Sequence, residues 1–115
     1  MARIQPGTYN IRVPQRATLE EDFVLKAADQ PVNLTGYTIL ASIWKDQKRR
    51  TKIVDFTVTI LDAVEGSIRL SLDREQTRDI KNDGYWDLLV IEPSEKADYW
   101  LEGSIIVDIG LTDDV

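Results

Sequence analysis

The stretch Ser67 to Val90, SIRLSLDREQTRDIKNDGYWDLLV, changes its hydrophobic period twice, and this constrains the fold more than any other part of the chain. Ile68, Leu70 and Leu72 alternate with Ser67, Arg69 and Ser71, which predicts a strand with one dry and one wet face. The alternation breaks at Asp73, whose carboxylate can cap a helix of one or two turns while Gln76 reaches back to the cap amide. Thr77 and Ile80 share one face of that helix and are expected to lie over the core. Asn82-Asp83-Gly84 is expected to stop the helix, because asparagine and glycine tolerate a left-handed backbone. A second strand follows, with Trp86, Leu88 and Val90 on one face and Tyr85, Asp87, Leu89 and Ile91 on the other. Nothing in this stretch describes chemistry on a substrate.

The rest of the chain repeats the strand signal. Residues 1–7 carry no pattern and read as a flexible arm. Tyr9, Ile11 and Val13 alternate up to Pro14, giving a first strand. Leu19, Phe23 and Leu25 share a face of a second strand, Thr18 to Lys26, with Glu21 among them. Asp29-Gln30-Pro31 reads as a turn, and Asn33-Leu34-Thr35-Gly36 as a second corner. Tyr37 to Lys45 is a third strand, with Ile39, Ala41 and Ile43 on one face and Leu40, Ser42 and Trp44 on the other. A basic loop, Lys45 to Lys52, leads to a fourth strand, Ile53 to Ile60, in which Phe56, Val58 and Ile60 alternate; Glu65-Gly66 then turns into the fifth. Pro93 to Ala97 reads as a five-residue hairpin loop. In the last strand, Asp98 to Ile109, Tyr99, Leu101, Ile105, Val107 and Ile109 are expected on one face, and Trp100, Glu102, Ser104, Ile106 and Asp108 on the other. Gly103 is expected to mark a bulge or a close contact.

About seven short strands with turn signals between them predict an all-β, two-sheet antiparallel sandwich with one short helix at the corner between sheets. In immunoglobulin-type folds a D-x-G-x-Y pattern opens the strand after such a crossover, and Asn82-x-Gly84-x-Trp86 takes that place here. Strands Tyr37 to Lys45, Gly84 to Ile91 and Asp98 to Ile109 should form one sheet. Thr18 to Lys26, Ile53 to Ile60 and Ser67 to Leu72 should form the other, with the first strand at an edge. The 115 residues fit a single domain over residues 8–112, followed by a tail at 113–115.

Composition removes several kinds of chemistry. With no cysteine and no histidine there is no disulfide, no thiolate or imidazole metal ligand, and none of the side chains most often used for proton transfer near neutral pH. Ser67, Ser71 and Thr77 lack a base to activate them, and no phosphate-binding glycine loop is present. The acidic groups Glu20-Glu21-Asp22 and Asp113-Asp114 read as solvated carboxylates, since no glycine-punctuated ligand loop surrounds them. The expectation is a protein that is not an enzyme and holds no cofactor or metal. No apolar run approaches membrane-span length, and a net charge of −6 argues against nonspecific nucleic-acid binding.

The run from Tyr9 to Trp44, with YNIRVPQRATLEEDFVL and PVNLTGYTILASIW, resembles an immunoglobulin-like β-sandwich domain of tailed-phage and prophage virion proteins, similar to the N-terminal domain of baseplate upper proteins. Further along, Gly66-x-Ile68-x-Leu70-x-Leu72, Glu75-x-Thr77, Gly84-Tyr85-Trp86-Asp87-Leu88 and Leu101-Glu102-Gly103-Ser104-Ile105 agree in order and spacing. The sequence departs from the pattern at Arg16-Ala17-Thr18-Leu19, where the family usually has glycine before a Thr-Phe pair. The resemblance implies a virion structural protein, assembled in the host cytoplasm, that acts as a free-standing tail or baseplate adaptor in a homo-oligomer or symmetric array with other virion proteins. A capsid decoration protein is the nearest alternative, and a carbohydrate-binding module gripping glycans through Trp44, Tyr85 and Trp100 is an alternative of another class.

The face assignment supplies the candidate site. If Trp86, Leu88, Val90, Leu101, Ile105, Ile39 and Ile43 point inward, then Leu40, Trp44, Tyr85, Leu89, Ile91, Trp100 and Ile106 lie outside on one sheet, a wide apolar patch that a partner would cover. A one-residue slip in register would exchange the two faces. The basic cluster Lys45, Lys48, Arg49, Arg50 and Lys52 is either a solvated loop or a docking point for an acidic neighbour.

Overall fold

In the computed structural model, which describes residues 7–48 and 50–109, the period-two segments become eleven strands and the capped segment one short helix. The strands are β1 (Gly7–Thr8), β2 (Ile11–Pro14), β3 (Leu19–Val24), β4 (Lys26–Ala27), β5 (Gln30–Pro31), β6 (Thr38–Trp44), β7 (Lys52–Asp55), β8 (Thr57–Asp62), β9 (Ser67–Leu72), β10 (Gly84–Ile91) and β11 (Ala97–Asp108); helix α1 (Arg74–Arg78) lies between β9 and β10. A six-stranded sheet runs β1-β11-β10-β6-β7, with β2 also paired to β11; a three-stranded sheet runs β3-β9-β8; β4 and β5 form a separate hairpin. Pairing is antiparallel except that β1 and β2 run parallel to β11.

Both larger sheets contribute to one core. Ile39, Ile43, Trp86, Leu88, Val90 and Ile105 from the six-stranded sheet and Leu19, Ile68, Leu70 and Leu72 from the three-stranded sheet are buried in the same cluster. Trp86 sits where the sheets meet, its ring stacked on Phe23 of β3 at 6.0 Å and edge-on to Phe56 at 6.1 Å. Its indole N–H donates to the Tyr9 carbonyl at 2.6 Å, so the largest core side chain also fixes the link between β1 and β2. Gly103, paired with Trp86 across β10 and β11, makes room for this contact: a Cβ there would overlap the Tyr9 carbonyl oxygen.

The corner forms as the sequence implies at its start and differently at its end. Asp73 Oδ1 accepts from the Gln76 amide at 2.8 Å and Gln76 Oε1 accepts from the Asp73 amide at 2.9 Å, a complete capping box. Thr77 and Ile80 are fully buried, and the Thr77 hydroxyl donates to the Ala17 carbonyl at 2.8 Å. The helix nonetheless stops at Arg78, with Asp79 as a right-handed cap, and neither Asn82 nor Gly84 takes a left-handed backbone. Glycine at 84 answers a different need: a Cβ there would stand 2.5 Å from the Trp44 carbonyl oxygen.

Other expectations are corrected by local geometry. The expected strand Ile53 to Ile60 is two strands in different sheets. Phe56 divides them: its amide still donates to Ala41 of β6 at 2.9 Å while its ring turns into the core, and the chain then crosses to pair with β9. The first hairpin turns at Ala28 and Asp29, with φ of 51° and 64°, so both central residues are left-handed as in a type I′ turn, and Gln30–Pro31 belongs to the returning strand β5. The β10–β11 hairpin closes one residue earlier than expected, through the Glu92 amide on the Lys96 carbonyl, with Glu95 left-handed at φ 70°. Gly7, read as part of an arm, pairs with Leu101. The remainder of that arm and the tail at 113–115 lie outside the described residues.

Candidate interaction surface

Residues paired across neighbouring strands share a face, so the register of β6, β10 and β11 defines the outer surface of the large sheet. Trp44 pairs with Tyr85 and Tyr85 with Ser104; Ser42 with Asp87 and Asp87 with Glu102; Leu40 with Leu89 and Leu89 with Tyr99; Thr38 with Ile91 and Ile91 with Ala97. Leu40 is 52% exposed and Tyr99 44%, while Trp44, Tyr85, Leu89, Ile91 and Ile106 are half-buried. The sequence expectation thus places Leu40, Trp44, Tyr85, Leu89, Ile91 and Ile106 together on the outside, as the register requires.

Trp100 is not with them. The β10–β11 register shifts between Leu88, which pairs with Leu101, and Leu89, which pairs with Tyr99, so Trp100 is the extra residue of a bulge. Trp100 packs instead against the core edge beside Leu101, lining a groove with Gly7, Phe23, Val24 and Leu25. Tyr99, expected inside, takes the outer position. Tyr99, Trp100 and Leu101 are three apolar residues in a row, which interrupts the alternation but does not mark which of them is looped out.

The outer face is not uniformly apolar. The row Ser42, Asp87 and Glu102 crosses it and separates Leu40, Leu89, Ile91 and Tyr99 from Trp44 and Tyr85. The Trp44 indole N–H donates to Asp87 Oδ1 at 3.2 Å, which leans the ring across onto β10. At the margin the Ser42 hydroxyl donates to Asp55 Oδ1 at 2.6 Å and Lys52 Nζ donates to Asp55 Oδ2 at 3.2 Å. The Ser42 hydrogen bond, with Lys52 adding to it, holds the Asp55 carboxyl below its ordinary range.

The basic loop is built around an acid. Asp46 Oδ1 accepts from the Arg50 and Thr51 amides at 2.9 and 3.0 Å, and the Lys45 amide donates to the Thr51 carbonyl at 2.8 Å. The Thr51 amide is the main reason the Asp46 pKa is lowered. Lys45, Lys48 and Arg50 are exposed around this turn; Arg49 lies outside the described residues.

The acidic triplet divides as period two requires. Glu20 and Asp22 meet Arg69 on the outside of the three-stranded sheet at 3.5 and 2.8 Å, and the Arg69 hydrogen bond lowers the Asp22 pKa. Glu21 faces the other way, 3.5 Å from the Tyr9 hydroxyl. Arg69 was legible as a wet-face residue, but its place opposite Asp22 depends on a pairing the sequence does not print. Among the described residues no group of three or more His, Cys, Asp or Glu side chains is placed to hold a metal ion, and no helix is long and apolar enough to cross a membrane. No family model matches the chain, and no curated protein matches it.

Proposed function

We propose that this chain is a structural subunit of a tailed-phage virion, an immunoglobulin-like sandwich that joins tail or baseplate parts by burying the outer face of β6, β10 and β11. The virion assignment comes from the sequence resemblance. Two sheets on one core, joined by the β9–α1–β10 corner and with β2 running beside β11, are compatible with that architecture. The observation that carries the interaction reading is the outer face itself: Leu40 and Tyr99 stand open to solvent beside half-buried Leu89, Ile91, Trp44 and Tyr85 on three adjacent strands. Aromatic and branched side chains held on a rigid sheet lose little freedom when covered, and the polar row through them supplies hydrogen-bonding groups that fix a partner's register. The glycan reading loses support, because Trp100 does not share the face of Trp44 and Tyr85.

Antibody labelling of purified particles from the source phage tests the assignment. Label on the tail or baseplate supports it, label on the capsid shell supports a decoration protein instead, and absence of label rejects both. The double variant Leu40→Glu/Tyr99→Glu changes only outward side chains. It is expected to unfold at the wild-type temperature within about 2 °C, as surface substitutions do, and to be missing from assembled particles. Incorporation at the wild-type level would reject this face as the contact.

A further inference from the structure

Three sheet edges of this fold are guarded unequally. β3 and β8 are the two edges of the three-stranded sheet, and β7 closes one side of the larger sheet. An edge strand presents unpaired N–H and C=O groups, and charged side chains are the usual guard against another strand pairing there. β3 carries Glu20, Glu21 and Asp22, and β7 is four residues long with Lys52 and Asp55. β8 lacks this guard over most of its length: Thr57, Val58, Thr59, Ile60 and Leu61 are uncharged, the first four are β-branched, and none is proline. Its ladder runs to β9 on one side, leaving the other side at the edge. Ile60 shares the inward face with its buried neighbour Ile68, yet it is 39% exposed, and Leu61 beside it is 44% exposed. β8 thus stands at the open margin of the sandwich, next to a groove lined by Ile39, Ala41, Phe56 and Val58.

We infer that two copies of this chain pair through β8, antiparallel about a two-fold axis beside Thr59, so that the two three-stranded sheets become one of six strands. Facing residues of antiparallel strands share a face, and this register is the one that keeps inward residues opposite inward ones: Val58 of one copy meets Ile60 of the other, and Thr59 meets Thr59. The contact is isologous and closes at two copies. Charge selects this edge for self-association. A chain of net charge −6 repels its own copies wherever carboxylates meet, and the paired segment brings none together. The two Asp62 carboxylates fall at opposite ends, about 20 Å apart, against a screening length of about 8 Å at physiological salt. Each comes opposite Phe56 of the other copy, beyond which Lys52 and Asp55 offset one another. Beyond Ile60 the strand bends at the Leu61 bulge, which keeps the contact short and the association modest. The inference does not depend on the virion assignment and uses residues other than those of the outer sheet face.

Sedimentation of the purified full chain tests it. At about 0.5 mM protein the mass should approach twice that of the monomer, and it should hold from about 150 to about 500 mM salt because no ion pair carries the contact. The monomer mass is 13.1 kDa. Thr59→Glu is expected to be monomeric under the same conditions. It keeps the fold, since Thr59 is exposed and lies opposite Arg69 of its own chain, but it sets two carboxylates against each other across the axis. The chain has no cysteine, so Thr59→Cys carries a single thiol. Across the axis its Cβ would stand about 5 Å from its twin, close to the span that a disulfide bridges. Mild oxidation should therefore convert most of Thr59→Cys to a covalent dimer and leave Glu20→Cys, on the guarded edge, mainly monomeric. A wild type that stays monomeric overturns the inference. So does a Thr59→Glu variant that still dimerises, equal cross-linking at positions 20 and 59, or a dimer abolished by Leu40→Glu/Tyr99→Glu, which would place the contact on the outer sheet face.

Discussion

A side chain at position 103 would occupy space that the Tyr9 carbonyl and the Trp86 indole already fill. A Cβ there would overlap the Tyr9 oxygen and stand 3.0 Å from Trp86 Nε1. Gly103→Ala must therefore push β1 and β2 off β11 or move an indole that is fully buried. Overpacking costs about 1–3 kcal/mol, and a buried indole N–H and carbonyl left without each other add about 1–3 kcal/mol. The expected loss is about 3 kcal/mol or more, read as a lower urea midpoint at unchanged slope; a loss under about 1 kcal/mol would mean the β1–β2 link relaxes freely. The glycine was legible in the sequence as a bulge or a close contact. The structure decides for the close contact and places the bulge at Trp100, within the apolar run Tyr99-Trp100-Leu101, where any of the three could fill an inward position.

At the scale of elements, local chemistry was readable where a single segment decides the outcome. Asp73 and Gln76 form their box from within four residues of chain. Asp73→Ala is expected to lower stability by about 1 kcal/mol, measured as the change in urea midpoint, and Asp73→Asn to recover most of it; equal losses from both would show that the cap is immaterial. The strands were legible for a related reason, since burial on one face imposes period two, and the inward set Ile39, Ile43, Trp86, Leu88, Val90 and Ile105 followed from it. What could not be read depends on distant partners. Phe56 continues the alternation of its neighbours, yet it ends β7 on one sheet and precedes β8 on the other, a division set by Ala41 and Trp86. The candidate face was recovered on β6 and β10, which are regular, and half-exchanged on β11, where Tyr99 and Trp100 trade sides.

At the scale of the whole molecule, three carboxylates tie stability to acid. Asp22, Asp46 and Asp55 are held below the ordinary value of 3.8 by the Arg69 guanidinium, the Thr51 amide and the Ser42 hydroxyl respectively. Each binds fewer protons folded than unfolded near that value, so its contribution is complete above 3.8 and is lost as the pH falls through the lower folded value. The chain has no histidine, so no side chain with an ordinary pKa titrates between pH 5 and 8. Approaching the sequence pI of about 4.6 also relieves like-charge repulsion. The urea midpoint is therefore expected to hold from about pH 8 to about pH 5 and to fall below about pH 4; a decline already between pH 7 and 5 would contradict this.

The pairing of β1 and β2 with β11 has a consequence for how the chain is made. Ile11 lies beside Ile105, Asn10 accepts from the Ser104 amide and Trp86 waits for the Tyr9 carbonyl, so the first strands close against the last. During synthesis β1 and β2 have no strand to pair with until β11 has emerged from the ribosome. Folding must therefore be slow relative to a helical protein of this size, and a nascent chain halted before Gly103 carries its first strands as open edges available to any other chain nearby.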